Sequence, residues 1–258
     1  MILFRSESFV DYKTYTFNYA SYCIKEHQNE LPEIYAQGFL PYSNSIDLQQ
    51  ETYYLARSLR VNLKDFKESS ENRRVSKKIE ALSPSFKVIP IEDFNVDAAE
   101  FKRYCINFAN QRFSEPISEE RLNYILHAKS ISHVFQFELE SKTVGYVISI
   151  IEKGCLHYWF AFFDLDQQVY SLGKWMMFSV IKWAHEQELQ HVYLGTCYGE
   201  KSLYKVRDFK GLSYFDGNQW ISDVKLLKNK CKTDDVFTSD EFKQDTDLYI
   251  ERLSNAKT

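Results

Sequence analysis

Three consecutive apolar segments between residues 133 and 163 constrain the fold of this chain more than any other feature. In the first, Phe135, Phe137 and Leu139 alternate with polar residues, as in a strand with one buried face. The next two, VGYVISII and CLHYWFAFF, are nearly continuous apolar runs, which are typical of central strands buried on both faces. Because a short ESK turn joins the first two, the sequence predicts antiparallel strands in one sheet.

A loop, a helix and one more strand follow these three segments. Residues 174–189 place Met177, Val180 and Ile181 at helical spacing, and HVYLG continues as a strand. Three antiparallel strands, a loop, an amphipathic helix and a returning strand form the order of the acyl-CoA acetyltransferase fold. We therefore expect an α/β protein with an acetyltransferase-like (GNAT-like), mixed and largely antiparallel sheet flanked by helices, with room for a smaller N-terminal α/β part.

Pattern and polarity divide the chain into three predicted parts. Residues 1–83 combine extended segments, among them 50–63, with a basic helix. Residues 84–222 form the acetyltransferase-like domain. Residues 223–258 form a polar C-terminal extension whose role the sequence leaves open.

Capping residues mark the predicted helices outside this central run. The basic helix begins after Ser69 or Ser70, and a second amphipathic helix covers residues 96–113. A third helix is capped by Ser118, and a fourth begins near Ser239.

Composition excludes several classes of protein. The 258 residues are 44% hydrophobic and 26% charged, which are globular proportions. No apolar run reaches the ~18 residues of a membrane-spanning helix, and MILFRSESFVDYK lacks the design of a signal peptide. The five cysteines are scattered without a Cys-x-x-Cys pair, so no metal site is expected. These features predict a soluble cytoplasmic enzyme or binding protein without a membrane partner; its oligomeric state stays open.

Two local clusters of cations stand out in a chain whose net charge is −4. Arg73 and Lys77, like Arg74 and Lys78, are pairs of like charge four residues apart, which cost an isolated helix ~0.2–0.5 kcal/mol each. The second cluster contains the cations Lys201, Lys205, Arg207 and Lys210. Both clusters indicate a local site for a polyanion, although a solvated helix face is an alternative for the first.

In the second cluster, cations alternate with other side chains. Lys205 and Arg207 alternate with Tyr204 and Val206, which predicts a strand with both cations on one side. Unpaired RNA bases stack on aromatic rings, so this segment fits an RNA end.

The loop before the central helix is a poor site for coenzyme A. Acetyltransferases usually place two or three glycines there, and their backbone N–H groups bind pyrophosphate. Here QQVYSLG contains only Gly173, and Tyr170 and Leu172 crowd the backbone. An acyl donor other than acyl-CoA, such as aminoacyl-tRNA, is therefore expected, and no cofactor.

Four stretches and one tryptophan resemble a known family. They are YAQGFLPYS, RVNLKDFKESSENRRVSKK, FFDLDQQVYSLG, YLGTCYGEKSLYKVRDFKGL and Trp220. Over roughly residues 17–222 the chain resembles the arginyl-tRNA–protein transferase family, in particular its short bacterial leucyl-transferring branch. The resemblance implies an acetyltransferase-like fold. It also implies transfer of an amino acid, leucine slightly before arginine, from aminoacyl-tRNA to the N-terminal Asp or Glu of proteins, which marks them for degradation in the N-degron pathway.

One departure concerns the cysteines that the family usually carries in its N-terminal part. Tyr53 and Ala56 stand where we would place its Cys-x-x-Cys pair. A cysteine-bound metal or cluster is therefore not expected here, which puts redox or metal-dependent control in doubt but need not remove the transfer chemistry.

The resemblance places Asp164 and Asp166 on a central D-x-D motif. An amine attacking an ester needs a group to take its proton, and we expect one of these carboxylates to hold the ammonium and accept that proton. Ser171 and the backbone N–H groups near Gly173 are expected to steady the ester carbonyl or the terminal phosphate. Loop and helix capping are the alternatives for these residues.

Substrate contacts are assigned by side-chain chemistry. Arg60, with Arg57 as substitute, is the candidate for the acceptor's carboxylate, since a guanidinium binds carboxylates with two parallel bonds. Tyr158 and Trp159 fit the core, with one ring available for the donor pocket, and Tyr204 would stack on the CCA end. The candidates for tRNA binding are Arg73, Arg74, Lys77, Lys78, Lys201, Lys205, Arg207 and Lys210.

Two other functions stay open. An acyl-CoA-dependent N-acetyltransferase fits the strand order but not the single glycine, and a non-catalytic module that binds RNA or degrons fits the cations. The peptidoglycan-bridge aminoacyl transferases are a weaker analogy, because they are usually longer.

Overall fold

The computed structural model describes residues 1–11, 16–43, 50–113, 117–166 and 171–236. The segment with the helix predicted near Ser239, and Tyr170 of the central loop, lie outside the described residues. The strands are β1 Ile2–Asp11, β2 Thr16–Ile24, β3 Phe39–Pro41, β4 Thr52–Leu55, β5 Ser58–Asn62, β6 Ser85–Pro90, β7 His133–Leu139, β8 Lys142–Glu152, β9 Cys155–Phe163, β10 His191–Thr196, β11 Leu212–Phe215 and β12 Trp220–Ile221. The helices are α1 Leu31–Ala36, α2 Ser70–Glu80, α3 Ala99–Arg112, α4 Glu119–Leu126, α5 Leu172–Glu186 and α6 Val224–Val236.

An eight-stranded sheet forms the centre of the protein, in the order β12-β11-β5-β10-β9-β8-β7-β6. Neighbouring strands pair antiparallel except β9 and β10, which are parallel and are joined through α5. A parallel pair needs such a crossover connection, since a tight turn reverses the chain. The predicted mixed, largely antiparallel sheet with its strand–strand–strand–loop–helix–strand order is therefore confirmed.

A smaller sheet, in the order β1-β2-β4-β3, lies in the N-terminal part. With α1 it forms the smaller α/β part for which the sequence left room. β5 follows this sheet directly in the chain, yet it pairs between β10 and β11 in the larger sheet. The division of the chain at residues 83 and 222 remains a prediction.

Layers on both faces of the larger sheet explain its continuous apolar runs. In β8, Val147 packs into a core cluster with α2 and α5, whereas Ile148 packs into a second cluster with α3 and α4. A third cluster joins the smaller sheet to the larger one through Ile150 and Tyr193. Because side chains alternate between faces, a strand covered on both sides is apolar at every position.

Local capping confirms two helix starts. The Ser69 hydroxyl accepts a hydrogen bond from the Asn72 N–H at 3.0 Å, and the Ser118 hydroxyl accepts one from the Arg121 N–H at 3.1 Å. Within the described residues, no helix is long and apolar enough to cross a membrane.

The strand predicted around Lys205 is wrong. Residues Glu200–Lys205 form a 3-10 helix, which begins after Gly199 with its positive φ of 67°. Leu203, Val206 and Phe209 are all buried. Burial at every third position suits helical turns, so the local pattern has a period of three and not two.

Candidate functional site

A wedge opens in the larger sheet where β9 and β10 diverge. Their parallel pairing runs from His191 opposite Cys155 to Tyr193 opposite His157, and within the described residues it goes no further. Beyond this point β9 remains paired with β8 as far as Phe163. The wedge therefore lies at the carboxyl ends of two adjacent parallel strands, where ligands of open α/β sheets usually bind.

A cavity of about 960 Å³ occupies the wedge. Its described walls come from α3, β9, β10, the start of α5 and the 3-10 helix. It is lined by Phe108, Arg112, Phe113, Tyr158, Trp159, Phe160, Ala161, Phe163, Asp164, Leu165, Ser171, Leu172, Gly173, Lys174, Met177, Leu194, Lys201, Tyr204 and Lys205. We call this cavity the cleft. It has apolar and aromatic walls with several charged groups, as small-molecule sites usually do.

The structure brings many of the predicted site residues together in the cleft. They are Asp164, Ser171, Gly173, Tyr158, Trp159, Tyr204, Lys201 and Lys205. These residues come from three separate stretches of the chain, and their roles there remain predictions.

The two aspartates of the D-x-D motif differ in position. Asp164 follows β9 and lines the cleft, and it is the only acidic residue to do so in the described part of the chain. Its Oδ1 accepts the Asp166 N–H at 2.9 Å, which fixes the turn. Asp166 is exposed and does not line the cleft. Of the two, Asp164 is therefore better placed to meet a ligand there.

The start of α5 forms one wall of the cleft. Ser171 precedes the helix with a positive φ of 91°, and its side chain makes no capping bond to the helix. A Cβ atom on Gly173 would lie 2.8 Å from the ring of Phe163. The glycine thus lets α5 pack closely on β9, and the N–H groups of the first turn are brought to the cleft, where a helix favours negative charge.

Among the described residues, four cations line the cleft, and Asp164 is the single carboxylate there. The cations are Arg112, Lys174, Lys201 and Lys205. Arg112 forms no ion pair with any described residue. With Arg112 in its wall, the cleft carries a local excess of positive charge although the protein as a whole is acidic. The sequence suggested such a local excess for a polyanion site.

Lys174 joins the cleft to the basic helix α2. Its Nζ lies 2.6 Å from Asp208 Oδ2 and 3.3 Å from Glu71 Oε1. Partial burial disfavours its charge, but the bonds and attraction to both carboxylates raise its pKa overall. Glu71 also binds Arg74 with two bonds of 2.7 Å. A chain of charges therefore runs from the cleft wall to α2.

Lys205 points inward and not to the solvent. Its Nζ donates a hydrogen bond to the Thr196 carbonyl at 2.9 Å and lies 5.8 Å from the centre of the Tyr204 ring. Burial lowers its pKa, a change that the nearby Cys197 partly opposes.

The other predicted tRNA residues lie outside the cleft. Arg73, Arg74, Lys77 and Lys78 are exposed on one side of α2, and Arg207 and Lys210 are exposed after the 3-10 helix. Within the described residues, Arg73 bonds to the Glu68 carbonyl at 3.1 Å.

Arg57 and Arg60, predicted to bind the acceptor, also lie outside the cleft. Arg57 binds Asp234 of α6 at 2.6 and 3.1 Å, and its guanidinium lies 4.6 Å from the Tyr198 ring centre. Arg60 lies 3.9 Å from the Trp220 ring centre and donates to the Ser213 hydroxyl at 3.3 Å. Their assignment to the acceptor remains a prediction, one that the cleft geometry does not favour.

Sequence reasoning missed several cleft residues. Arg112 and Phe108 lie in the helix predicted over residues 96–113, but that pattern does not mark them as part of a site. Lys174 follows Gly173 directly, so its place at the start of the predicted helix was a usable signal. Phe113 and Phe163 carry no local mark, because only the fold brings them together.

Comparisons with known proteins bear on the part of the chain that holds the cleft. Residues 97–214 match the family described as arginine-tRNA-protein transferase, C terminus. An aspartate/glutamate leucyltransferase of Saccharophagus degradans is 25% identical over 137 residues, which cover 50% of this chain and 58% of that protein. One of Stenotrophomonas maltophilia is 31% identical over 81 residues, covering 31% of this chain and 32% of that protein. The matches thus span less than two thirds of these relatives' lengths.

Solved structures resemble the protein at low identity. L-PGS from Bacillus licheniformis has a TM-score of 0.45 at 12% identity, with 81% of this chain and 72% of that chain covered. FemX has a TM-score of 0.42 at 9% identity, with 66% and 60% covered. The Escherichia coli ribosomal-protein-S18-alanine N-acetyltransferase has a TM-score of 0.30 at 12% identity, with 41% and 63% covered.

The family match and the cleft coincide. All the residues that line the cleft, from Phe108 to Lys205, fall inside the matched range. Over this range, residues 97–214, the chain is similar to the C-terminal part of the arginine-tRNA-protein transferases.

Proposed function

We propose that the protein is an aminoacyl-tRNA–protein transferase that acts in the cleft. It moves an amino acid, leucine in preference to arginine, from aminoacyl-tRNA to the N-terminal Asp or Glu of a protein, in the cytoplasm and as part of an N-degron pathway. The observation that carries this proposal is one cleft, inside the family match, that combines one carboxylate with several cations and rings.

Cations and aromatic rings at the cleft support the proposed binding of the tRNA end. Tyr204 is 49% exposed and Lys201 is exposed beside it, so a base can stack and a phosphate can pair there. The cations on α2, which are linked to the cleft through Lys174 and Glu71, would extend the phosphate-binding surface beyond Lys201. Each neutralised phosphate releases counterions, so the affinity depends on salt.

The walls of the cleft favour an apolar donor side chain. Phe108, Phe163, Leu165 and Met177 present carbon atoms to the cavity. An arginine side chain would need a carboxylate partner there, and the proposal uses Asp164 for the reacting ammonium. The walls therefore support leucine over arginine as the donated residue.

The reaction is the attack of an α-amine on an ester. Asp164 holds the acceptor's ammonium and takes one proton from it. The amine nitrogen then bonds to the ester carbon and loses a second proton to water. The bond to the ribose oxygen breaks, and that oxygen takes the proton held by Asp164. Ser171 and the first N–H groups of α5 hold the terminal phosphate or the carbonyl.

The acceptor's own carboxylate needs a cationic partner near the cleft. Arg112 offers a guanidinium in the cleft wall, whereas Arg60 and Arg57 are engaged elsewhere. We therefore assign the acceptor's Asp or Glu side chain to Arg112, with Arg60 retained as the earlier prediction. A guanidinium binds a carboxylate with two parallel bonds, which suits selection of Asp and Glu.

A transfer assay tests the proposal. The purified protein is mixed with labelled Leu-tRNA or Arg-tRNA, in parallel, and with peptides that begin with Asp, Glu, Asn, Lys or Ala. We expect label from Leu-tRNA on the Asp and Glu peptides. An Asp164→Asn variant, which keeps the shape of the side chain, should bind tRNA normally but transfer at least about 100-fold more slowly.

Other outcomes identify the rival functions. Label from Arg-tRNA alone would keep the reaction and change the donor. Bound tRNA without any transfer would favour the non-catalytic binding module. Acetyl transfer from acetyl-CoA to the same peptides would favour the acetyltransferase and contradict the proposal.

A further inference from the structure

We propose that Lys205 is a catalytic residue, whose ammonium stabilises the oxyanion formed on the ester carbonyl during aminoacyl transfer. This inference rests on the proposed function and deepens it. The sequence assigned Lys205 to tRNA phosphate together with its neighbours, so the structure gives it a different role.

The position of Lys205 separates it from the other cations of its cluster. It is half-buried in the cleft, while Lys201 and Arg207 are exposed. The difference arises from the 3-10 helix, which turns Lys205 inward as it ends. Lys201 and Arg207 can follow a phosphate across the surface, whereas the Lys205 head is confined to the wedge between β9 and β10.

The anchoring of the Lys205 head fixes one donor and leaves the others available. Its Nζ donates to the Thr196 carbonyl at 2.9 Å, at the end of β10. It forms no ion pair with a carboxylate among the described residues. An ammonium has three N–H donors, so two remain for a ligand in the cleft.

The surroundings of Lys205 strengthen its field on a developing charge. Tyr158 and Leu194 are both buried, and both line the cleft with it. Removal from water lowers the pKa of Lys205, which is the expected mark of a partly desolvated ammonium. In such surroundings a fixed charge interacts more strongly than in water and needs no reorganisation when the reaction occurs.

The step balances without a cofactor. The amine, having given a proton to Asp164, bonds to the ester carbon, and the carbonyl electron pair moves to oxygen. That oxyanion faces the Lys205 ammonium. When the pair returns to form the amide carbonyl, the nitrogen gives its second proton to water. The bond to the ribose oxygen breaks, and this oxygen takes the proton from Asp164.

The test separates catalysis from RNA binding by using two lysines of the same cleft. In Lys205→Met, we expect kcat at saturating Leu-tRNA and peptide to fall about 100-fold or more, with little change in tRNA affinity or its salt dependence. In Lys129→Met, which changes an exposed lysine outside the cleft, we expect kcat to stay within about threefold. In Lys201→Met, we expect a higher KM for Leu-tRNA. For Lys201→Met, the logarithm of the tRNA affinity should also depend less steeply on the logarithm of the salt concentration, with a slope smaller by about one.

The conservative variant checks the kind of interaction. Lys205→Arg keeps a positive donor in the wedge and should retain more kcat than Lys205→Met. If the Met variant lacks a cooperative thermal transition, Lys205→Gln takes its place, because an amide can still donate to the Thr196 carbonyl.

Two failures are distinguishable. In the first, the wild-type protein transfers the amino acid, and Lys205→Met keeps the same kcat but shows a weaker salt dependence of tRNA binding. This result would overturn the inference and return Lys205 to phosphate binding. Absence of any transfer by the wild-type protein would overturn the proposed function, and this inference with it.

Discussion

Gly173 shows how one missing side chain sets the shape of the cleft. A Cβ atom at this position would meet the ring of Phe163 at 2.8 Å. The glycine of the central loop is therefore explained by packing of α5 on β9, without any need for a cofactor phosphate. Its two functions, close packing and exposure of N–H groups, follow from the same absence of a side chain.

Gly173→Ala is expected to destabilise the protein and to disturb the cleft wall. Overpacking against Phe163 should lower the free energy of unfolding by about 1–3 kcal/mol, as measured by urea denaturation. A second change, Phe163→Leu, makes room and should recover part of this loss. Equal destabilisation in the single and double variants would show that the contact with Phe163 is not the cause.

His157 predicts how stability depends on pH. It is 1% exposed, its Nδ1 lies 3.1 Å from the Tyr35 hydroxyl, and burial, with a smaller effect of Lys205, lowers its pKa to about 3. In the unfolded chain the His157 imidazole has its ordinary pKa of about 6.5 and binds a proton more readily than in the folded protein. The free energy of unfolding therefore decreases as the pH falls below about 6.5. At pH 5 we expect a loss of about 2 kcal/mol from this group.

Urea midpoints at pH 7 and pH 5 measure this effect. The loss between the two pH values should be smaller in His157→Gln than in the wild-type protein. His27→Gln, which changes an exposed imidazole, is the matched control and should behave as the wild type does. An identical pH dependence in all three proteins would contradict the prediction.

At the scale of elements, α2 predicts graded contributions to tRNA binding. Lys77 and Lys78 are exposed and form no ion pair with a described residue, whereas Arg74 is held by Glu71. Changing Lys77 and Lys78 together to Ala should reduce the salt slope of tRNA binding by about two, and Arg74→Ala by less. Filter binding at several salt concentrations measures this salt dependence. If all variants show the same slope as the wild-type protein, the RNA binds elsewhere.

The elements of the central sheet were predictable because their signals are local. Alternation in β7, continuous apolar runs in β8 and β9, and a helical stripe in α5 all lie within short windows of sequence. The 3-10 helix was missed because only the buried positions in it and directly after it, Leu203 and Val206, reveal a period of three. The place of β5 between β10 and β11 was also beyond reach, since strand order depends on distant pairing.

The cleft was predictable in the same uneven way. Asp164 and Ser171 follow from the motif at the end of β9, whereas Arg112 enters the site from another helix. Charge alone grouped Lys205 with Lys201, because a sequence does not show which of two nearby lysines turns inward. Their separation depends on the packing of a whole segment.

At the scale of the whole molecule, β5 ties the N-terminal part to the larger sheet. Its removal would leave the facing edges of β10 and β11 unpaired inside the protein. We therefore expect residues 84–236 alone to be insoluble or to lack a cooperative thermal transition, whereas residues 1–236 should retain one. Circular dichroism during heating compares them; a cooperative transition in the shorter piece would show that β5 is dispensable.

The pairing of β5 also has a consequence for synthesis on the ribosome. Asn62 of β5 pairs with His191 of β10, about 130 positions later in the chain. At typical rates of translation, β5 would wait on the order of ten seconds for its partner to be made. During this interval an apolar strand with Leu59 and Val61 has open edges. We expect nascent chains that end before β10 to need a chaperone, and the completed chain to release it.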